Sequence, residues 1–496
     1  MKRNLFYSIL ISCLLCLSAP LVLARQDASA DLSELSSGSA SQEDEPLTVD
    51  SVDPLKRDHS SDPQKIPGDK KVPSADSELL IDGDISFRLT HKTAKYQDQS
   101  ASDQDVYSKL RLDIFSGRHN DYEFHFLGAF RKDLDENQDQ TGFYPFENIV
   151  DTRKDQLHQV FEAHLDLKWL SSFSLIRLGR QAGNRGEWIY FDGAYFNWDL
   201  AEPVKLIFYG GSAVHFFEKN PGDDYLAGLG LDYHPFNHTA VNFDYLTVKD
   251  QRQNPVNEGD QKDNLFSVNL NQRFSPLTKG LVKLRWVNGE QRDLKIRAIT
   301  QELPLGFELN FNYFRQFLSQ SALSSETALF YDILGVSNPY QAFDFKLRQV
   351  FDKDCALDLG FYRRSLLRAE DESAFNRNFQ KTFAVFELDN LMVTGLALSL
   401  SGESWSSPNY QGNAGGFELE YGADRIKRSL RVSAGSYYSL YKYDYYLDYG
   451  ERTKVRTYFV KTRIPLGENY SLTGSFETED QIEEYQILKM GVKRDF

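Results

Sequence analysis

From residue 78 onward, apolar and polar side chains alternate with a period of two, in short runs broken by Gly, Asn, Asp and Pro. Successive side chains of an extended strand point to opposite faces, so this rhythm predicts strands with one apolar and one polar face. In Val106–Ile114, Val106, Leu110, Leu112 and Ile114 share one face, while Lys109, Arg111 and Asp113 share the other. The clearest hairpin joins Leu281–Val287 to Glu290–Thr300 through Asn288-Gly289, the dipeptide that a two-residue type I′ turn prefers. Within it Val282, Leu284 and Trp286 oppose Lys283 and Arg285, and past the turn Leu294, Ile296 and Ala298 alternate with Lys295 and Arg297. The same alternation runs through Phe307, Leu309, Phe311 and Tyr313, through Phe343, Phe345 and Leu347, and through Leu357, Leu359 and Phe361. Helical periodicity is almost absent.

Composition separates two all-β readings. A mean hydropathy of -0.50, 26% charged residues and a net charge of -16 suit a soluble acidic protein, but 36 Phe and 27 Tyr exceed what a soluble surface needs. A membrane barrel reconciles them, because each lipid-facing apolar residue alternates with a polar one facing the lumen. A soluble sandwich or propeller would alternate too, with its apolar face as a core. The last strand argues for the membrane: it runs from Tyr485 through Leu488, Met490 and Val492 to a terminal Phe496, interrupted on its apolar face by Arg494. A closing alternating strand that ends in Phe is the recognition signal of outer-membrane barrels. The expected fold is therefore all-β, a single transmembrane antiparallel β-barrel over residues 78–496. Spans of about 9 to 11 residues plus turns predict an even number of strands near 18, within 16–20.

Ahead of the barrel, basic Met1-Lys2-Arg3-Asn4, an apolar run from Leu5 to Ala24 and polar Arg25-Gln26-Asp27 form the layout of a secretory signal peptide, cleaved after Ala24. Retention as an anchoring helix, or acylation at Cys13 in Leu10-Ile11-Ser12-Cys13, are the alternatives. Cys13 and Cys16 lie in this leader, so only Cys355 survives maturation and no intramolecular disulfide is available. Residues 25–77 are Ser-, Asp- and Pro-rich, which predicts a disordered periplasmic linker. From 26 to 77 there are 12 acidic and 5 basic residues, a charge of -7, so the overall acidity says little about the lumen.

One segment carries a family resemblance. It reads Arg177-Leu178-Gly179-Arg180-Gln181, then Gly183-Asn184-Arg185-Gly186 and Phe191-Asp192-Gly193-Ala194-Tyr195-Phe196. It resembles the Leu-Gly-Arg-Gln … Phe-Asp-Gly signature of the alginate-export porin family over about twenty residues, with a short spacer between the halves. The resemblance implies a cationic lumen that conducts an anionic polysaccharide outward, with Arg177, Arg180, Arg185 and Asp192 as the matching positions. Guanidinium groups pair bidentately with uronate carboxylates, and a ring of them selects anions. An inter-strand ion pair between Arg180 and Asp192 that only stiffens the wall is the competing view. Alternation adds Lys109, Arg111, Lys283, Arg285, Lys295, Arg297, Lys346, Arg348 and Arg364 to the inward basic set, tempered by the acids Asp113, Asp344 and Asp358.

The implied function is an outer-membrane pore exporting an alginate-like exopolysaccharide, with no catalysis and no cofactor. Its partners would be the polymer, outer-membrane lipid and periplasmic secretion machinery. A general porin for small anionic solutes shares every feature named. A barrel enzyme is the third class, but Gly210-Gly211-Ser212-Ala213-Val214-His215 lacks the second Gly of a nucleophile elbow, and Ser212 and His215 point to opposite strand faces. His158, Glu162 and His164 share a face by alternation, yet the two histidines lie about 20 Å apart on a strand, too far for one ion. There is no His-Glu-x-x-His, Cys-x-x-Cys or phosphate loop. An acidic exported chain gives no support for nucleic-acid binding.

Overall fold

The computed structural model describes residues 79–496 apart from 97–98, 117–120, 136–155, 169–172, 184, 188, 215–223, 253–258, 304–305, 320–337, 373–376, 409, 423–429, 440–441, 444–450, 453–454 and 481–483. The expected leader (1–24) and linker (25–77) lie outside the described residues. Alternation produces strands throughout. The first eight are β1 (Leu79–Tyr96), β2 (Gln99–Ser116), β3 (Tyr122–Asp133), β4 (Gln156–Leu167), β5 (Phe173–Gly183), β6 (Ile189–Ala201), β7 (Val204–Ala213) and β8 (Tyr225–Phe236). Then come β9 (Thr239–Arg252), β10 (Gly259–Arg273), β11 (Thr278–Val287), β12 (Glu290–Leu303), β13 (Phe307–Gln316), β14 (Tyr340–Asp352), β15 (Cys355–Leu366) and β16 (Phe379–Leu388). The last are β17 (Leu396–Ser407), β18 (Tyr410–Gly422), β19 (Arg431–Ser439), β20 (Lys442–Tyr443), β21 (Glu451–Arg452), β22 (Val455–Leu466), β23 (Tyr470–Asp480) and β24 (Glu484–Asp495).

β20 and β21 pair only with each other; the rest form one 22-stranded sheet of antiparallel sequence neighbours, with β19 beside β22. β1 pairs with both β2 and β24, so the sheet closes into a barrel. The expectation of about 18 strands is thus corrected to 22. The cause is the brevity of the connections: residues 202–203, 237–238, 288–289 and 353–354 are whole links between consecutive strands. Asn288 (φ 52°) and Gly289 (φ 87°) both sit in the left-handed region, as the predicted type I′ turn requires. Connections following even-numbered strands are short, the longest being 423–430, whereas 134–155 and 317–339 follow odd-numbered ones. Long loops at one rim and tight turns at the other are the layout of outer-membrane barrels.

The outward face is a band of large apolar side chains, among them Ile81 (59% exposed), Phe87 (49%), Val460 (48%) and Met490 (50%). Arg494, which interrupts that face, lies over the Tyr470 ring, 5.4 Å from its centroid. Among the described residues no helix is long and apolar enough to cross a membrane. In lipid the backbone must find all its hydrogen bonds internally, and closure is how a sheet does so. At the seam Gly83 and Phe496 exchange backbone bonds of 3.1 and 3.0 Å. A Cβ at Gly83 would stand 2.5 Å from the Arg111 carbonyl and 2.8 Å from the Phe496 ring, so glycine is what lets the terminal aromatic lie flat on the seam. Gly83→Val should lower stability by about 1–3 kcal/mol through overpacking, read as a lower temperature for conversion of the compact to the slow-migrating gel band. An unchanged conversion temperature would contradict this packing.

At the opposite rim Asp103, Asp133 and Asp135, just past β3, gather within reach of one another, and Lys92 Nζ holds Asp103 at 2.8 Å. Burial, then the hydrogen bond to Asp133, push the Asp135 carboxyl up to about 6 from 3.8. A raised carboxyl favours the folded rim while it is protonated; that contribution is full at pH values below the unfolded pKa and is lost as pH rises through the folded one. Asp135→Asn, neutral at every pH, should match the parent near pH 4 and melt above it by pH about 7. Parallel melting curves across that range would refute the shift.

Candidate functional site

Residues 185–187, between β5 and β6, lie inside the barrel. Arg185 reaches Asp232 on β8 (Nη1 to Oδ2 3.2 Å, with Nη2 on Oδ1) and donates from Nε to Asp244 on β9. Lys283 Nζ on β11 donates to the carbonyls of Arg185 (3.2 Å) and Gly186 (3.1 Å). Arg285 Nη1 donates to Glu187 Oε1 at 2.9 Å, and Arg292 of β12 grips the same oxygen. The connection between β5 and β6 is five residues long, and the contacts of 185–187 reach β8, β9, β11 and β12 across the lumen. Beneath it Phe191, Ile207, Tyr209, Ala213, Leu226, Leu246 and Val248 form a buried apolar pad, with Ile189, Tyr195 and Leu265 packed against it. Apolar burial fixes the segment's depth, and the ion pairs fix its register along the wall.

This arrangement sorts the predicted basic set. Arg185, Lys283 and Arg285 hold the inner segment. Arg177 is clamped by Asp166 (Nε to Oδ1 2.7 Å, Nη2 to Oδ2 2.8 Å), and Arg348 by Asp358 and Glu387. Arg111 lies 3.2 Å from Asp84 and 3.9 Å from Asp113. Asp344 accepts from Asn312 Nδ2 at 3.2 Å. Arg364 stacks over Tyr340, 4.1 Å from its centroid. Lys109, opposite Ser86 and Ala129, shares the lumenal face of Arg111.

Arg180 and Asp192 stand apart. They pair bidentately (2.7 and 2.6 Å) directly across β5 and β6, but their face is that of Leu178, 43% exposed, while Phe191 and Gln181 beside them turn inward. The pore-lining role expected for these two is corrected: they form an ion pair on the barrel's outer surface, with Arg180 three residues from the loop-side end of β5. Near the interface such a pair is tolerated on a lipid face. Arg177 and Arg180 are three apart, so strand alternation alone already separates them.

What remains without a carboxylate partner among the described residues is a subset of the cations on β10–β14. Arg273 and Lys279 are directly paired across β10 and β11, and Lys283 and Lys295 across β11 and β12. Like charges directly opposite destabilise a sheet. Arg297, Lys295 and Lys346 form no ion pair with a carboxylate among the described residues, and Arg297 Nε is buried without a hydrogen-bond partner. At the short-turn mouth Arg273, Lys279 and Arg297 join His234, His238 and Asn271 around a recess of about 490 Å³ whose lining contains no carboxylate. Arg273 and Lys279 escaped the sequence reading, although Lys279 has the same parity as Lys283 and Arg285.

The other sequence candidates resolve simply. Ser212 Oγ donates to the Asp224 carbonyl at 3.0 Å, and His215 lies outside the described residues. A bulge where Leu127 pairs with Glu162 and Gly128 with Val160 changes the alternation of β4. His158 consequently packs on Phe130, away from His164, which is buried against His125 of β3. Cys355 is a free, half-buried thiol.

The class these features define is a closed antiparallel barrel with an apolar outer band and a charged interior. No family model matches the chain, and no curated protein matches it. Among solved structures it is similar to the translocation pore of the P pilus usher PapC, at 9% identity and a TM-score of 0.49, covering 84% of this chain and 99% of that one. It is also similar to OccAB2 of Acinetobacter baumannii (11% identity, TM-score 0.40) and to a BenF-like porin from Pseudomonas fluorescens Pf-5 (11%, 0.37), each covering 84% of this chain and 98% of the other. Likeness of this degree does not fix a function, and the barrel rests on its own strand pairings.

The ion pairs of the inner segment make a direct test. Arg185→Ala strands Asp232 and Asp244, should cost about 3 kcal/mol, and should raise single-channel conductance as the segment leaves the lumen. Arg185→Lys should behave like the alanine variant, since one ammonium cannot bridge both strands bidentately. Wild-type conductance in both variants would mean that 185–187 does not narrow the pore.

Proposed function

We propose that this chain is a pore of the Gram-negative outer membrane that passes an anionic solute along the basic wall of β10–β14, and that its cargo is an anionic exopolysaccharide moving outward. The observation that carries the reading is the uncompensated cation set at the short-turn mouth, Arg273, Lys279 and Arg297, with two like-charge pairs built directly into the sheet. A wall that only needed stability would place carboxylates there, as it does around Arg111, Arg177 and Arg348. Tight turns face the periplasm in such barrels, so the recess would meet a polymer arriving from inside the cell. The resemblance around Leu178-Gly179-Arg180-Gln181 and Phe191-Asp192-Gly193 supports the polysaccharide cargo; Arg180 and Asp192 would then serve the wall and not the polymer.

A second reading is favoured by the inner segment 185–187, which narrows the lumen: a channel for small anionic solutes such as carboxylates. Planar-bilayer recordings separate the two. The pore should be anion-selective, polyuronate added at the short-turn side should block it, and a neutral dextran of equal size should not. Replacing Arg273, Lys279 and Arg297 by Gln should lower polyuronate affinity about tenfold or more, in keeping with the loss of several charge-assisted contacts. Anion selectivity with block by small carboxylates alone would transfer the proposal to the small-solute channel. Cation selectivity in the parent protein would refute both.

A further inference from the structure

On the wall of β2–β5, near the short-turn end, two imidazoles and a carboxylate converge. His125 and His164 are direct cross-strand partners on β3 and β4, their ring centroids 4.9 Å apart. His164 Nε2 lies 3.7 Å from Asp166 Oδ1, and His125 Nε2 lies 3.9 Å from Asp166 Oδ2 and 3.4 Å from Glu123 Oε2. The side chains of His164 and Asp166 are only 3% and 4% exposed, whereas His125 keeps 23% open to the lumen.

The outer partners decide what these nitrogens can do. His125 Nδ1 meets Asp113 Oδ1 at 2.7 Å, and His164 Nδ1 meets the Arg180 carbonyl at 3.3 Å. Both acceptors require the proton on Nδ1, so in the neutral rings both Nε2 atoms carry lone pairs. Those lone pairs then face carboxylate oxygens, a repulsive arrangement buried in the wall. Protonating both rings would stack two imidazolium ions at 4.9 Å beside Arg177. A single dication at the meeting point turns every one of these contacts attractive. Metal-bound histidines characteristically donate their other ring nitrogen to a carboxylate or a backbone carbonyl, and both do so here. Arg177 uses one lone pair on each oxygen of Asp166 and leaves the second available.

We propose that His125 Nε2, His164 Nε2 and Asp166, with Glu123 completing the set, bind one first-row transition-metal dication of the zinc type. Nitrogen and oxygen donors in this mixture suit Zn²⁺ over Ca²⁺ or Mg²⁺, which prefer all-oxygen shells. Tetrahedral ligands about 2.0–2.1 Å from the ion stand about 3.4 Å from one another; one ligand atom from each of His125, His164 and Asp166 already lies within 4.8 Å of the others, so side-chain adjustment alone closes the set on the ion. Through Asp113 on β2 and Arg177 and Arg180 on β5, the ion would tie four strands together. This assignment is independent of what the pore conducts.

The test uses the untagged full chain, refolded in detergent after treatment with EDTA and titrated with Zn²⁺ by calorimetry, with metal content checked by mass spectrometry. One Zn²⁺ per chain is expected, together with a higher melting temperature; Co²⁺ should give the intense visible bands of a tetrahedral site. His125→Ala, at the partly open position, should abolish stoichiometric binding while the gel band still shows a folded barrel, and His125→Gln serves the same purpose if alanine impairs folding. Asp113→Asn should weaken binding about tenfold or more, and His158→Ala, on the other face, should leave it unchanged. The proposal is overturned if the chain binds no stoichiometric Zn²⁺, if binding persists in His125→Ala and His164→Ala, or if Ca²⁺ competes equally.

Discussion

The constraint on which the structure depends is that no strand edge can remain open in lipid. An unpaired N–H or C=O in hydrocarbon costs several kcal/mol, so a spanning sheet must return to its first strand. Here the return is made by β24, whose pairing with β1 runs from Asp84↔Asp495 to Lys95↔Glu484 and is extended by the backbone bonds of Gly83 and Phe496. Closure divides the two faces of every strand between lipid and lumen. Each later feature, from the outer apolar band to the sorting of charges inside, follows from that division.

Inside, charge is not distributed as a uniform coat. One group of cations is spent on geometry: Arg185, Arg285 and Arg292 secure the segment 185–187, and Arg177 and Arg348 stiffen strand neighbours through carboxylates. Another group has no such counterpart among the described residues, and it clusters on β10–β14. Partial burial makes a paired charge rigid and an unpaired one costly, so the two groups have different physical meanings. The apolar pad under the inner segment is equally informative. A water-filled lumen has no use for Phe191, Ile207 and Leu246 pointing inward, unless something is meant to lie on them.

Much of this was legible in the sequence because a barrel strand writes its two environments in alternate letters. The inward placement of Arg111, Lys283, Arg285, Lys295, Arg297, Lys346 and Arg348 follows from parity alone, and Asn288-Gly289 marks its turn because both positions need positive φ. The strand number was not legible, since turn length has no effect on alternation and a two-residue link looks like any polar break. Local resemblance misled in one respect: it treated Arg177, Arg180 and Asp192 as one functional set, although strand parity places Arg177 inside and Arg180 outside. Pairing partners were also hidden, because which acid meets Arg185 depends on register across β8 and β9, some fifty residues away.

The bulge in β4 shows how much chemistry can hang on one extra residue. With strict alternation, His158, Glu162 and His164 share a face and the histidines are too far apart to cooperate. The bulge between Val160 and Glu162 shifts the parity, turns His158 outward onto Phe130, and lets Phe161 drop into the wall beside Leu127 and Tyr190. His164 and Asp166 then stand in register with His125 and Arg177. Bulges are placed where a ladder must re-aim its side chains, and they leave no mark in hydrophobic patterning. The histidine that matters to His164 therefore had to be found across the strand, thirty-nine residues earlier, and not along it.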